Sequence, residues 1–284
     1  MKPAERQDEV PGVSHTADEE RFSFTPFTRH PFFTQVNRWI VERVICPGRQ
    51  VIVDLGCGPG AVTKLILERL SDVEPAPRVI GVDPSPSAIA KARAAISSRV
   101  AEFIEGSAEL LSRLVPPADA VIFLNAIHLV QDKQQVLGEI RKVLKPRGAL
   151  GFNTTFFAGA YVEGTSAFWR RWVVRAVQVL REKGIAVRHE GKTAAMQWLS
   201  ADDYAAACLA AGLRPKTIEL VKVEMTPESL ADIGQFSLFI EGALPGVPLE
   251  EGSAALLKGL DRTLDELKVP SVSRNWLEVV AEAV

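Results

Sequence analysis

The strongest chemical signal in the chain is Asp54-Leu55-Gly56-Cys57-Gly58-Pro59-Gly60. Three glycines in five residues let a chain turn sharply and bring backbone amides close to a ligand. The β-branched run Val51 to Leu55 reads as a buried strand before the turn, and Gly60 to Leu70 as a helix after it. The first amides of such a helix lack partners within it, and its dipole is positive there. A carboxylate or phosphate can sit at that end. Gly56, Gly58 and Ala61 also satisfy the loose G-x-G-x-x-G/A dinucleotide fingerprint, so on the loop alone a nicotinamide cofactor stays open. The bland alternative is a tight strand-to-helix turn that binds nothing.

Four further groups are candidates. Asp83 ends a second short strand, Val79 to Asp83, and a carboxylate there can accept hydrogen bonds from two neighbouring ribose hydroxyls. Alone it would read as a turn acid before Pro84; the glycine loop upstream favours the binding role. His128 follows a strand over Ala120 to Leu124 by a few residues. A neutral imidazole at that edge can take a hydroxyl proton, or it can be a structural histidine satisfied by backbone. Glu241, in the otherwise apolar Phe239 to Ala243, is a candidate to orient His128 or bind substrate, set against a solvated helix-end acid. Arg171, Arg175 and Arg181 recur near helical spacing, ordinarily a solvated face; facing a cleft, they would suit a phosphate or an acidic carrier protein. His30 and His189 read as packing or surface residues.

The elements that must position these groups alternate. A helix is expected over Thr34 to Val44, with Val36, Ile40 and Val44 on one face, stopped by Pro47-Gly48. Ser85 caps a helix with Pro86 in its first turn and Ile89, Ala92 and Ile96 as its stripe. Ala101 to Glu105 reads as a third strand, Lys133 to Leu144 as a helix ended by Lys145-Pro146-Arg147-Gly148, and Ala149 to Thr154 as a fifth strand. Alternating strands and helices imply right-handed crossovers and a parallel sheet covered on both faces. Ligands then bind beyond the carboxyl ends of the strands.

Beyond Thr155 the pattern loosens. Residues 156–199 hold Phe156, Phe157, Tyr161, Phe168, Trp169, Trp172 and Trp198 and read as an aromatic, largely helical lid. Ala201 to Ala211 reads as a helix, Arg214 to Glu224 as a strand, 227–268 as more helices and Asn275 to Val280 as a last strand. The expected organisation is a flexible tail at 1–20, a binding core at 21–155, the lid at 156–199, and the rest of the core at 200–284 with cap helices inserted at 226–270.

Bulk composition agrees with a globular enzyme. The 284 residues are 47% hydrophobic and 24% charged, with a net charge of −2. Nothing suggests a nucleic-acid partner, no stretch approaches the apolar length of a membrane span, and Met1 to Glu20 lacks the layout of a secretory signal. Cys46, Cys57 and Cys208 give neither a zinc spacing nor a disulfide framework, so no metal is expected and a reducing, cytoplasmic setting is the default.

Five segments, in order, resemble the class I S-adenosylmethionine (SAM)-dependent methyltransferases. The glycine segment is similar to that family's motif I, an acidic residue followed by G-x-G-x-G. Asp83 ends strand two as the family's ribose-binding acid does. Gly106-Ser107-Ala108-Glu109 sits where Gly-Asp-Ala is frequent, with Ser at 107 where Asp is common. Asp119 to Val130 looks like the fourth motif, and Ile140 to Ala149 like the approach to strand five. The resemblance covers residues 34–155.

It implies an α/β, Rossmann-like, seven-stranded and mostly parallel sheet with helices on both faces, the last strand antiparallel, beneath a helical lid. It implies SAM as cofactor and S-adenosylhomocysteine as product. Gly56, Cys57, Gly58 and Gly60 would wrap the methionine part, with Asp54 near its amino group. Asp83 would hold the ribose, while Pro84, Ser107, Ala108 and Glu109 line the adenine and Asn125 lies beside the methyl group. The acceptor is expected to be a small molecule, free or carried on a protein. O-methylation of the natural-product kind comes first, with a looser likeness to the O-methyltransferase domains of polyketide synthases. C-methylation of the quinone-biosynthesis kind and N-methylation come next. Outside the class, a nicotinamide oxidoreductase would need proton-relay residues, and no Tyr-x-x-x-Lys occurs; a non-catalytic SAM-binding module would keep the fold without turnover.

Overall fold

The computed structural model describes residues 21–187 and 198–284. The expected tail at 1–20, His189 and part of the expected lid lie outside the described residues.

The first half of the chain winds as its hydrophobic periodicity dictates. Helix α1 (Pro31–Val44) leads into β1 (Val51–Leu55), α2 (Ala61–Arg69), β2 (Arg78–Asp83), α3 (Pro86–Ala95) and β3 (Ala101–Glu105). The short helix α4 (Leu111–Leu114), β4 (Ala118–Leu124), α5 (Lys133–Val143) and β5 (Leu144–Thr154) follow. The expected boundaries move by a few residues. Helix α1 starts three residues early because Pro31 occupies the first turn, where its missing N–H costs nothing. Ser85 caps α3 as expected, accepting from the Ala88 amide at 3.3 Å. Strand β5 reaches back to Leu144, but its pairing with β4 jumps from Leu144 to Ala149; the expected turn at 145–148 survives as an irregularity, with Arg147 at φ +63°.

The second half supplies α6 (Ser166–Glu182), α7 (Ala201–Ala210), β6 (Leu213–Met225), α8 (Pro227–Ile233), α9 (Ser237–Ala243), α10 (Leu249–Leu267) and β7 (Val272–Ala283). The seven strands form one sheet in the order β3-β2-β1-β4-β5-β7-β6, with β7 antiparallel to both neighbours. Winding reverses between β1 and β4, so the carboxyl ends of β1, β2, β3 and β4 face one crevice.

Three apolar layers hold this together. Val53, Val121, Leu150, Phe152 and Leu277 pack one sheet face against α5 and α7. Ile52, Val79, Ile122 and Val280 pack the other against Ile40 and Val44 of α1 and Leu65 and Ile66 of α2. Each such side chain removed from water contributes roughly 1.5–3 kcal/mol. A third cluster joins α6, α8, α9 and α10 to Phe22, Phe27 and Phe33, forming a cap over the strand tips. Helices α6 and α10 touch so closely that a Cβ on Gly259 would lie 2.6 Å from the Ala176 amide nitrogen.

The arginine stripe on α6 serves this cap. Arg171 and Arg175 both pair with Glu266 of α10, and Arg262 pairs with Glu182. Neither Arg171 nor Arg175 lines a cavity, and Arg181 is exposed; this geometry ties helix to helix and offers no cleft-facing anion site. Among the described residues no helix is long and apolar enough to cross a membrane.

Candidate active site

The loop after β1 is held to β2 by backbone. Gly56 and Cys57 donate to the Val82 carbonyl at 2.7 and 3.1 Å, and Gly58 donates to Asp83 Oδ2 at 2.8 Å. Gly56 sits at φ +67°, and a Cβ there would lie 2.9 Å from the Ala126 Cβ; both the backbone angle and the crowding demand glycine. Gly60 is the N-cap residue of α2.

Asp83 accepts from the amides of Gly58 and Ser85, at 2.8 and 3.0 Å. A carboxylate has about four lone-pair sites, so capacity for two further donors remains on the cleft side. Asp54 lies differently from the expectation. Its buried carboxylate accepts from Thr63 Oγ1 at 2.6 Å, back toward α2, and it does not line the cleft. Burial is the main cause raising its pKa to about 7; the Thr63 hydrogen bond opposes the rise and nearby Asp83 adds to it. Its place is behind the loop, shaping it from within the fold.

The cleft that results has a volume of about 660 Å³, within the ordinary range for a small-molecule site. Gly56, Cys57, Gly58, Asp83, Pro84, Ser107, Ala108, Glu109, Asn125 and His128 line it, while Gly60 stays buried beneath. Phe22, Phe24, Thr28 and Phe33 close it from the N-terminal side, and Phe236 and Leu238 from the cap. The N-terminal contribution went unread in the sequence, because an aromatic run signals packing without saying onto what.

Beside the cleft lies a small second cavity of about 20 Å³, and the two share Phe24, Asn125 and His128 as wall. Asn125 stands at the junction with φ +55°, a left-handed conformation that asparagine tolerates. A side-chain network fixes it. Its Nδ2 donates to Asn37 Oδ1 at 2.9 Å, its Oδ1 accepts from Trp276 Nε1 at 3.2 Å, and its amide donates to Asn153 Oδ1 at 2.8 Å.

His128 is buried between the two spaces, its ring 4.4 Å from that of Phe156. Burial, with the charges of Lys133 and Arg274, pulls its pKa down to about 3. Thr154 Oγ1 accepts the Phe156 amide at 2.9 Å and lies 3.2 Å from His128 Nδ1. The hydroxyl has a second lone pair and its own hydrogen, so it can bond Nδ1 with either group as donor. This is a neutral imidazole with little appetite for a second proton. Glu241 is exposed on α9 and lines neither cavity, so the geometry does not bring it to His128. His30 bonds Asp232 on α8 at 2.7 Å.

The chamber's remaining wall contains residues the sequence reading did not single out for chemistry: Thr155, Arg274 and Trp276, with Trp169 and Phe156 read only as lid aromatics. Alternation would have exposed Arg274. Val272, Arg274 and Trp276 share one buried face of β7, which starts three residues before the expected Asn275. Among the described residues no cluster of three or more metal-ligating side chains occurs.

Comparison with known proteins agrees with this geometry. Residues 52–148 match the Methyltransf_25 family, a methyltransferase domain. Trans-aconitate 2-methyltransferase of Escherichia coli is 33% identical over 112 residues, 39% of this chain and 41% of that enzyme. The aligned part is therefore less than half of either protein. The YcgJ protein of Bacillus subtilis shares the fold with a TM-score of 0.53 at 16% identity, over 88% of this chain and 98% of that one. Phosphoethanolamine N-methyltransferase 2 of Haemonchus contortus, solved with S-adenosylhomocysteine, superposes with a TM-score of 0.55 at 16% identity, over 95% of this chain and 58% of that one. Residues 52–148 are thus similar to a methyltransferase domain, and the seven-stranded order with its reversed last strand is a fold that these proteins share.

Proposed function

We propose that this protein transfers a methyl group from SAM to an oxygen of a small-molecule acceptor. One observation carries the proposal: the cleft above the glycine loop and the aromatic chamber meet at Asn125 and His128, so a donor and an acceptor would face each other across those two residues.

The cleft wall fits the donor. Gly58 lines it, and nothing lies within 4 Å of where its Cβ would stand, so the loop backbone is open to a ligand. In this reading Gly56, Cys57 and Gly58 present backbone to the methionine part, with Gly60 starting the helix behind them. Asp83 takes the ribose hydroxyls; Pro84, Ser107, Ala108 and Glu109 flank the adenine; Asn125 borders the reacting end. Asp54 is a positioning residue that holds the loop through Thr63.

The sulfonium of bound SAM supplies an already activated methyl group. The protein's share is then alignment and exclusion of water. Asn125, locked on three sides, and the aromatic walls do that. His128 is a neutral imidazole with little affinity for a proton, so in this reading the acceptor oxygen is one that arrives ionised or loses its proton to solvent. The E. coli relative's name assigns it an acidic small molecule, trans-aconitate, which is consistent with such an acceptor. The family match ends at residue 148, before Thr155, Phe156, Trp169, Arg274 and Trp276 of the chamber, and so does not carry that relative's acceptor over.

A screen with methyl-labelled SAM tests the proposal. Phenols, alcohols, carboxylic acids and carrier-bound hydroxyacyl thioesters should include labelled products with the label on oxygen. Label on carbon or nitrogen only, with quinone precursors or amines, would replace O-methylation; SAM binding without label transfer to any acceptor would point to a binding module.

A further inference from the structure

The most unusual charge in the molecule is Arg274. It is 4% exposed and paired with no carboxylate among the described residues. Its Nε and Nη2 donate to Thr155, at 2.8 Å to the hydroxyl and 2.8 Å to the carbonyl. Tyr161 is a further side-chain hydrogen-bond partner of the guanidinium, and like Thr155 it carries no carboxylate. Four rings surround the guanidinium: Trp169 at 4.5 Å, Tyr161 at 5.3 Å, Phe156 at 5.4 Å and Trp198 at 5.6 Å from their centroids. Ring faces attract a cation but do not neutralise it. Buried charges in folded proteins are ordinarily paired, and an arginine fork is shaped for a planar anion.

The rest of the chamber points the same way. Among the described residues the Trp169 indole N–H is buried without an acceptor, and no aspartate or glutamate lines the chamber. His128 beside it is a neutral imidazole held by Thr154. Donors converge, no acid answers them, and the wall between them is aromatic.

From this we infer that the methyl acceptor is a small carboxylic acid whose carboxylate end enters the chamber and docks on Arg274 while its apolar body lies in the adjoining cleft, past Phe24 and His128. A carboxylate, rather than a phosphate, matches the single positive charge that lines the chamber among the described residues. The inference rests on the methyltransferase reading, but it concerns only the acceptor side and can fail separately.

The test is tryptophan fluorescence of the full chain with S-adenosylhomocysteine present, titrated with benzoate, benzamide and phenyl phosphate. Trp169, Trp198 and Trp276 report on the chamber. Benzoate should bind at least about tenfold more tightly than benzamide, and more tightly than phenyl phosphate. Arg274→Gln should abolish the acid-over-amide preference, and Arg274→Lys should keep part of it, while calorimetry shows S-adenosylhomocysteine affinity unchanged in both. The ligand comparison on the unaltered protein stands even if a variant fails to fold. Equal or absent binding of benzoate and benzamide would overturn the assignment, as would a preference for phenyl phosphate, or an acid preference that survives Arg274→Gln. Failure of S-adenosylhomocysteine to bind would instead strike the methyltransferase reading itself.

Discussion

The two halves of the site are built in opposite ways. The side of the cleft proposed to take the donor is made from local turns: one loop between β1 and α2, one residue at the tip of β2 and a short turn after β3. The contacts proposed there are largely backbone, and the side-chain demands are few. The chamber is made from side chains that meet only after folding: Phe24 before α1, His128 after β4, Thr155 after β5, Trp169 on α6, Arg274 and Trp276 on β7. A cleft of the first kind binds whatever ligand its backbone geometry suits, with little freedom to vary. A chamber of the second kind can be re-specified one side chain at a time while the fold stands.

The sharpest way to break this contrast is at the loop. Gly56→Val adds bulk where a Cβ already lies 2.9 Å from Ala126 and forces a β-branched residue to φ +67°. Strain and overlap of this kind cost roughly 1–3 kcal/mol each, so SAM affinity by calorimetry should fall about a hundredfold or more, with the circular dichroism of the fold retained. Undiminished affinity would show that backbone geometry at the loop does not set donor binding.

A smaller loss is expected from Asp83→Ala. Removing the carboxylate deletes the proposed ribose contacts and the bond from Gly58; the loss in SAM affinity should be about 1–3 kcal/mol. An unchanged dissociation constant would end the ribose role.

Glu278 gives a stability prediction that leaves the donor cleft untouched. It is fully buried on β7, and neither carboxylate oxygen has a hydrogen-bond partner among the described residues. Burial, with Glu219 adding and Arg43 opposing, pushes its pKa up to about 8. A raised carboxyl pKa means the neutral form is favoured on folding. Its contribution is complete below the ordinary carboxyl range and is lost as pH rises through about 8. Glu278→Gln should therefore gain on the unaltered protein by roughly 1–3 kcal/mol in urea unfolding as pH goes from 5 to 9. Parallel curves across that range would show the group is not buried as described.

The subtlest effect is at His128. With its pKa near 3, the imidazole is neutral throughout the working range, and kcat against pH should show no limb near 6.5 that belongs to it. His128→Gln, which keeps a donor, should retain most turnover. A limb near 6.5 that disappears in the variant would restore the histidine as a base.

The same contrast explains what could be read from the sequence. The glycine loop, Asp83, the Ser85 cap and the alternating core were legible because each is a local pattern with a local physical cause. The seven strands and the reversed last strand came from the family resemblance; the strand order came only with the structure. Arg274 was not legible as a site residue, since nothing in its neighbours says which rings will surround it. Its place depends on β7 inserting between β5 and β6. Asp54 and His128 were seen, but their environments were not: the first turns to Thr63, and the second loses its basicity to burial and to two cations, Lys133 nearby and Arg274 far along the chain.

The most direct test of the central claim is calorimetric titration of the purified chain with SAM, S-adenosylhomocysteine and NAD. One molecule of SAM or S-adenosylhomocysteine should bind per chain, NAD should give no heat of binding, and Asp83→Ala should weaken the first two together. Saturable NAD binding with none for SAM would contradict the account.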